Sequence, residues 1–356
     1  MLQSLICLLP VLFVFLFNVK IEKKHCVFDD YLNIDSMQNL RGILAVLIVL
    51  HHFSGMFTEK TLFLVFNHIG YLVVAVFFFI SGYGLAYGVQ NKSGYVSGVK
   101  FLYTRIPKLI IPYWVAVLIY SLVYTLLNIQ TVSLKTFLLS FVSYENVVSG
   151  SWYIFELVLL YFVFYITFKL KNKKISLILL FLIVGILSVF FYYDENFSNL
   201  WYRSIFAFPL GVLYSYYAEK IEKFYSNKTL LKYGMTIIGL IFILALRYLC
   251  VIEGKEKIQV LFDILSSMVF PFTTIILLRK IKFSNKLLFF LGSISFEIYL
   301  IHFLIMKAFF VYYKSGEINL ILYFLVTFSF SILLAWIVHF VNKFLIQKYF
   351  KIISKK

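Results

Sequence analysis

The stretch Ile175-Ser-Leu-Ile-Leu-Leu-Phe-Leu-Ile-Val-Gly-Ile-Leu-Ser-Val-Phe-Phe-Tyr-Tyr193 runs for 19 residues without a charge. As a helix rising 1.5 Å per residue it covers about 28 Å, close to the hydrocarbon thickness of a bilayer. Lysines precede it (Lys171, Lys173, Lys174), and Asp194 and Glu195 close it. Similar apolar runs lie near 4–19, 41–58, 63–88, 107–128, 152–169, 202–219, 230–251, 259–278, 286–311 and 319–345. The expected fold is therefore all-α, a polytopic transmembrane helical bundle of about 10–11 spanning helices.

Composition supports this. Of 356 residues, 62% are hydrophobic and 14% charged, and the mean hydropathy is +0.92. A soluble domain carries about a quarter charged residues. The formal charge of +17 would suggest nucleic acid in a soluble chain, but the cations sit in short loops between apolar runs. They gather at Lys92, Lys100, Arg105 and Lys108; at Lys169, Lys171, Lys173 and Lys174; at Lys220, Lys223, Lys228 and Lys232; and at Arg279, Lys280, Lys282 and Lys286. A last group is Lys343, Lys348, Lys351, Lys355 and Lys356. Every second loop is basic. By the positive-inside rule these loops are cytoplasmic, with the amino terminus outside and the carboxyl terminus inside. The bilayer, not nucleic acid, is the partner this pattern implies.

The first run, 4–19, has no basic segment before it, and Lys20, Lys23 and Lys24 follow it. It reads as a retained helix, not a cleaved signal. Cys7, Cys26 and Cys250 are far apart, which indicates neither a disulfide framework nor a metal site.

Ionisable groups inside membrane spans are costly, so each is a functional candidate. The strongest set is Arg41-Gly-Ile-Leu-Ala-Val-Leu-Ile-Val-Leu-His51-His52. Eleven helical steps make about 1100°, which brings His52 to within about 20° of Arg41, roughly 16 Å deeper. His51 is turned aside and reads as structural. Arg105 and Lys108 lie three apart at an expected helix start, with Pro107 in the first turn, where its missing N–H is no loss. Two cations at a helix amino end form a place for phosphate. Ser295, Tyr299 and His302 follow i, i+4, i+7 spacing on one face, with Glu297 on another. Glu156 and the Ser81-Gly82-Tyr83 and Ser151-Trp152-Tyr153 segments are weaker signals. Arg203, Arg247 and His339 read as groups that hold helices together.

In this order the motifs resemble the acyltransferase-3 family of integral membrane acyltransferases, which O-acylate bacterial surface polysaccharides and related glycans. The likeness runs from about residue 34 to 345. Its carriers are Arg41 with His52, and Phe78-Phe79-Ile80-Ser81-Gly82-Tyr83. Arg105 and Lys108 before Pro112-Tyr113-Trp114 form the third, and Leu291, Gly292, Ser295, Tyr299, Leu300 and His302 the fourth. The chain departs from the family in several places. Residues 1–33 form an extra amino-terminal transmembrane helix with its cytoplasmic loop ahead of the acyltransferase domain at 34–356. Ala75 and Gln38-Asn39 stand where the family often has acidic residues. Lys108 replaces an arginine, which loses bidentate phosphate geometry.

The resemblance implies a donor, acyl-CoA and usually acetyl-CoA, presented from the cytoplasm as substrate, with no permanently bound cofactor and no metal. It implies a glycan or lipid-linked sugar as acceptor, and a location in the plasma membrane. On this reading Arg41, Arg105 and Lys108 bind the anionic donor, and Arg41 is also catalytic together with His52. His52 is the general base on the acceptor hydroxyl, or carries the acyl group in a variant of the mechanism. Glu156, Ser295, Tyr299 and His302 are accessory, with Ser295 or Tyr299 facing the oxyanion. Two other classes compete. A membrane glycosyltransferase or polysaccharide polymerase would use acidic residues outside, whereas Asp29, Asp30 and Asp35 fall inside. A polysaccharide-precursor transporter would show paired discontinuous helices in two halves, and none is evident.

Overall fold

In a computed structural model of the protein, residues 1–23, 26–57, 61–92, 94–96, 98–142, 145, 147–170, 172–226 and 229–354 are described. Lys24, Lys171, Lys228, Lys355 and Lys356, part of the charge pattern above, lie outside the described residues, as does position 58 of the 41–58 run.

The chain begins with α1 (Leu2–Leu16), β1 (Val19–Ile21) and α2 (Ile34–Ser54). A 3-10 turn (Leu62–Phe66) leads into α3 (Gly70–Asn91), followed by α4 (Lys100–Arg105), α5 (Pro107–Leu126), α6 (Leu134–Ser140), α7 (Ser151–Phe168) and α8 (Lys173–Tyr193). Then come α9 (Leu200–Arg203), α10 (Ala207–Ser226), α11 (Thr229–Ile252) and α12 (Glu256–Leu278). The chain closes with β2 (Ile281–Phe283), α13 (Lys286–Ser293), α14 (Ser295–Lys314) and α15 (Leu320–Ile353). Each expected span falls on one helix or on two in succession. Among the described residues eight helical segments are long and apolar enough to cross a membrane: α3 with its preceding turn, α5, α7, α8, α11, α12, α14 and α15. At 15 residues α1 is short, while polar side chains dilute α2 and α10. The fold is an all-α multi-pass bundle.

Asparagine sets several helix starts, because its short side chain accepts from the first free backbone N–H groups. Asn33 accepts from Ser36 N at 2.8 Å to open α2; Asn172, Asn285 and Asn319 open α8, α13 and α15 in the same way.

Helix α2 is the central element, packed against α3, α13, α14 and the 3-10 turn. Glycine decides two of its close contacts. A Cβ at Gly42 would run into the Leu288 carbonyl, and one at Gly292 into that of Gln38, so only bare backbone lets α2 and α13 approach this closely. Gly82 against Phe208 and Gly211 against Phe79 do the same for α3 and α10. By contrast α11 turns Leu231, Met235, Ile238, Ile241 and Phe242 outward, a lipid-facing surface.

Three local features depart from the sequence expectation. The run 286–311 is two helices, because the chain breaks at Ile294 between α13 and α14. Arg105 is the last residue of α4, not part of the following helix, which opens with Pro107 at its first position. A short antiparallel pair joins β1 to β2, with Lys20 opposite Lys282. That pair ties the loop after α1 to the loop after α12, placing both basic segments on one side of the bundle.

Candidate active site

Because α2 is unbroken from Ile34 to Ser54, the eleven-step relation between Arg41 and His52 holds in the fold. Arg41 lines a pocket of about 220 Å³ together with Ser81, Tyr153, Tyr161, Ser295 and Tyr299. Apolar side chains, among them Val74, Phe77, Ile80, Leu109, Leu157 and Phe296, complete the wall. Tyr153, Leu157 and Tyr161 present one stripe of α7, four residues apart each time, and Ser295 and Tyr299 one face of α14. Arg41 makes no ion pair among the described residues. The polar groups of its pocket are hydroxyls, with Tyr153 and Tyr161 within electrostatic reach. An unpaired guanidinium in a mostly apolar pocket is a ready partner for an anion.

His52 stands further along α2, outside that pocket's lining, and meets His302. Their ring centroids are 5.1 Å apart. The His302 ring in turn packs 6.2 Å from Tyr299, which lines the Arg41 pocket. One face of α14 therefore leads from the arginine to the histidine pair. His302 is buried, and its Nδ1 lies 2.8 Å from the Ile298 carbonyl. A carbonyl can only accept, so Nδ1 carries a proton, and in the neutral ring Nε2 is left with a lone pair. That Nε2 has no hydrogen-bond partner among the described residues. His51 points elsewhere, with Nδ1 3.0 Å from the Phe66 carbonyl.

Tyr299 donates its hydroxyl to the Gly150 carbonyl at 2.8 Å. A phenol has one proton to give, so this bond removes Tyr299 from any simultaneous oxyanion role. Gly150 is at φ 83°, and a Cβ there would come within 2.8 Å of the same hydroxyl. Ser295 lies beside Arg41, seven residues and about 10 Å along α14 from His302. It belongs with the arginine end of the site. Glu156 is wholly buried on α7, and neither carboxyl oxygen has a hydrogen-bond partner among the described residues. Tyr153 and Tyr299 are within its electrostatic reach.

Arg105 and Lys108 line a second cavity of about 410 Å³ with Gly94, Tyr95, Lys100, Phe101 and Thr104. The Arg105 guanidinium donates to the Tyr95 hydroxyl and lies 5.0 Å from that ring's centroid. Burial raises the Tyr95 hydroxyl above its ordinary value, with Arg105 pulling it back, so it meets the arginine as a neutral phenol. The two cavities are neighbours: Lys108 lines the outer one and Leu109 the inner. Tyr161 is within reach of both Arg105 and Arg41.

Two other buried carboxylates hold helices together. Asp263 on α12 pairs with Arg203 of α9 at 2.9 Å and with Arg247 of α11. Glu297 on α14 meets His339 at 3.2 Å and Asn342 at 3.1 Å on α15. Sequence reading missed Asp263, and it missed Tyr161, although the Tyr153-Leu157-Tyr161 spacing was visible. What it could not supply was the direction in which that stripe faces.

A family model described as an acyltransferase domain matches residues 34–340. No curated protein and no solved structure matches the chain.

Proposed function

The chain belongs to the acyltransferase-3 family, and on that premise we propose that it moves an acyl group, acetyl by first expectation, from cytoplasmic acyl-CoA to a hydroxyl of a cell-surface glycan. The observation that carries this reading is the row of side chains along one face of α14, from Ser295 and Tyr299 to His302. Arg41, with no ion pair among the described residues, occupies one end, and the neighbouring rings of His52 and His302 the other.

The donor's phosphates would rest on Arg105 and Lys108, which with Lys100 line an open cavity. Arg41 would take a further anionic or carbonyl oxygen of the donor in the inner pocket. The pantetheine arm would run along Ser81, Tyr153 and Ser295 and bring the thioester toward His52. There the acceptor hydroxyl loses its proton to an imidazole and attacks the thioester carbonyl. The C–S bond breaks, and the imidazolium gives the proton it took from the acceptor hydroxyl to the departing thiolate. An imidazole suits this because it exchanges protons near neutral pH. The His302 lone pair can receive an N–H from His52 and fix its orientation, since centroids 5.1 Å apart allow two ring nitrogens to meet. Two features support the assignment of sides, with the plasma membrane as the location: the alternating basic loops, and the pairing of β1 with β2, which gathers two of them.

The test is transfer of labelled acetyl from acetyl-CoA to candidate glycans by the purified protein. His52→Ala is expected to cut the rate by about 10²–10⁴ at unchanged protein amount, and His51→Ala to be far milder. Equal tolerance of both substitutions would remove His52 from the chemistry.

A further inference from the structure

Lys307 stands on α14 four residues beyond Phe303 and five beyond His302. It is half-buried and makes no ion pair among the described residues. Its ammonium lies over two rings, 5.1 Å from the Phe303 centroid and 5.6 Å from that of Tyr124. Phe303 in turn meets the His52 ring at a right angle, with centroids 5.3 Å apart. Tyr124 is buried, and its hydroxyl has no hydrogen-bond partner among the described residues.

Lys314, at the end of the same helix, is exposed, as expected of a lysine reaching for the membrane surface. Lys307 is not so placed. A cation drawn partly out of water needs a counter-charge, and two ring faces supply only about 0.5–2 kcal/mol. The order along α14 is Ser295 and Tyr299 beside Arg41, then His302 beside His52, then Phe303 and Lys307. The lysine is thus on the opposite side of the histidine pair from the donor pocket. That is where a second substrate must enter if the donor enters past Arg41.

We propose that Lys307, Phe303 and Tyr124 form the acceptor subsite, and that it selects a glycan bearing an anionic group, carboxylate or phosphodiester, near the hydroxyl that is acylated. The ammonium meets the anion, the Tyr124 hydroxyl gives or takes a hydrogen bond, and the Phe303 ring offers a face to the sugar. This rests on the acyl-transfer reading above and adds to it the charge of the acceptor.

The experiment uses the full chain in discs of phosphatidylcholine alone, which removes anionic lipid headgroups as partners for the lysine. Acetyl transfer is followed with three de-O-acetylated polymers: one containing uronate, the same polymer after carboxyl reduction, and one linked by phosphodiesters. The unaltered protein is expected to show a KM about tenfold lower for at least one anionic polymer than for the neutral one, the scale of one charge-assisted hydrogen bond. Which anionic polymer is preferred identifies the group. Lys307→Gln should erase that preference while leaving transfer to the neutral polymer within about twofold, and Lys307→Arg should restore it. A preference that survives Lys307→Gln, or an equal loss on all three polymers, overturns the subsite. Transfer to none of them by the unaltered protein, with acetyl-CoA still bound, overturns the acyl-transfer reading and the subsite with it.

Discussion

Asp263 and Glu156 are both wholly buried carboxyl groups on apolar helices, and the bundle treats them in opposite ways. Asp263 is held between Arg203 and Arg247, whereas Glu156 has no hydrogen-bond partner on either oxygen among the described residues. The same division runs through the other ionisable groups. Glu297 is met by His339 and Asn342, while among the described residues Arg41 makes no ion pair and His302 Nε2 has no hydrogen-bond partner. The matched groups join α9 to α12, α11 to α12 and α14 to α15. Of the unmatched groups, Glu156, Arg41 and His302 lie around or beside one pocket and one face of α14. A buried charge with a partner is a fastening. One left without a partner at a cavity is held ready for something that arrives.

Substitutions can break this contrast, and the largest effect belongs to the unmatched set. His302→Ala is expected to lower acyl transfer by about 10²–10⁴ with little change in the temperature at which the detergent-solubilised protein unfolds. A variant that unfolds earlier in step with its lost activity would move His302 to the fastening class. Asp263→Ala should do the reverse, costing about 3–5 kcal/mol because two guanidiniums lose their buried counter-charge. It would be seen as a drop in protein amount and unfolding temperature, with the surviving fraction still active per molecule. Next comes Arg105→Ala, expected to raise KM for acyl-CoA about tenfold, the scale of one charge-assisted contact, with kcat held. A fall in kcat at constant KM would place Arg105 in the chemistry instead. The smallest effect is expected for Glu297→Gln, about 1 kcal/mol of stability and no change in KM for either substrate, since the amide can still bond to His339 or Asn342.

Much of the bundle was legible in the sequence because membrane crossing imposes length and apolarity on each segment separately. The run from Ile175 to Tyr193 reads as a span with no knowledge of its neighbours, and it is one. The break at Ile294 was not legible, since the residues on both sides are apolar and a 26-residue run can be one helix or two. The β1–β2 pair was hidden for a related reason. Val19–Ile21 and Ile281–Phe283 are three residues each, too short to show alternation, and they meet only because distant helices deliver them. At the site, Arg41 and His52 shared a face by arithmetic along one helix. His302 was visible as a member of its own helix face, yet its meeting with His52 depends on how α14 lies against α2.

The sequence alone determined that this chain crosses a membrane many times, which of its loops are basic, and which residues of a given helix look the same way. These are properties of single segments, set by a fixed rise, a fixed turn and the cost of polar groups in hydrocarbon. Only the tertiary structure decided which charges are matched and which are left open, because a partner is a fact about two helices. Asp263 and Glu156 look alike in the sequence. Two arginines from other helices reach the first, and no described partner reaches the second.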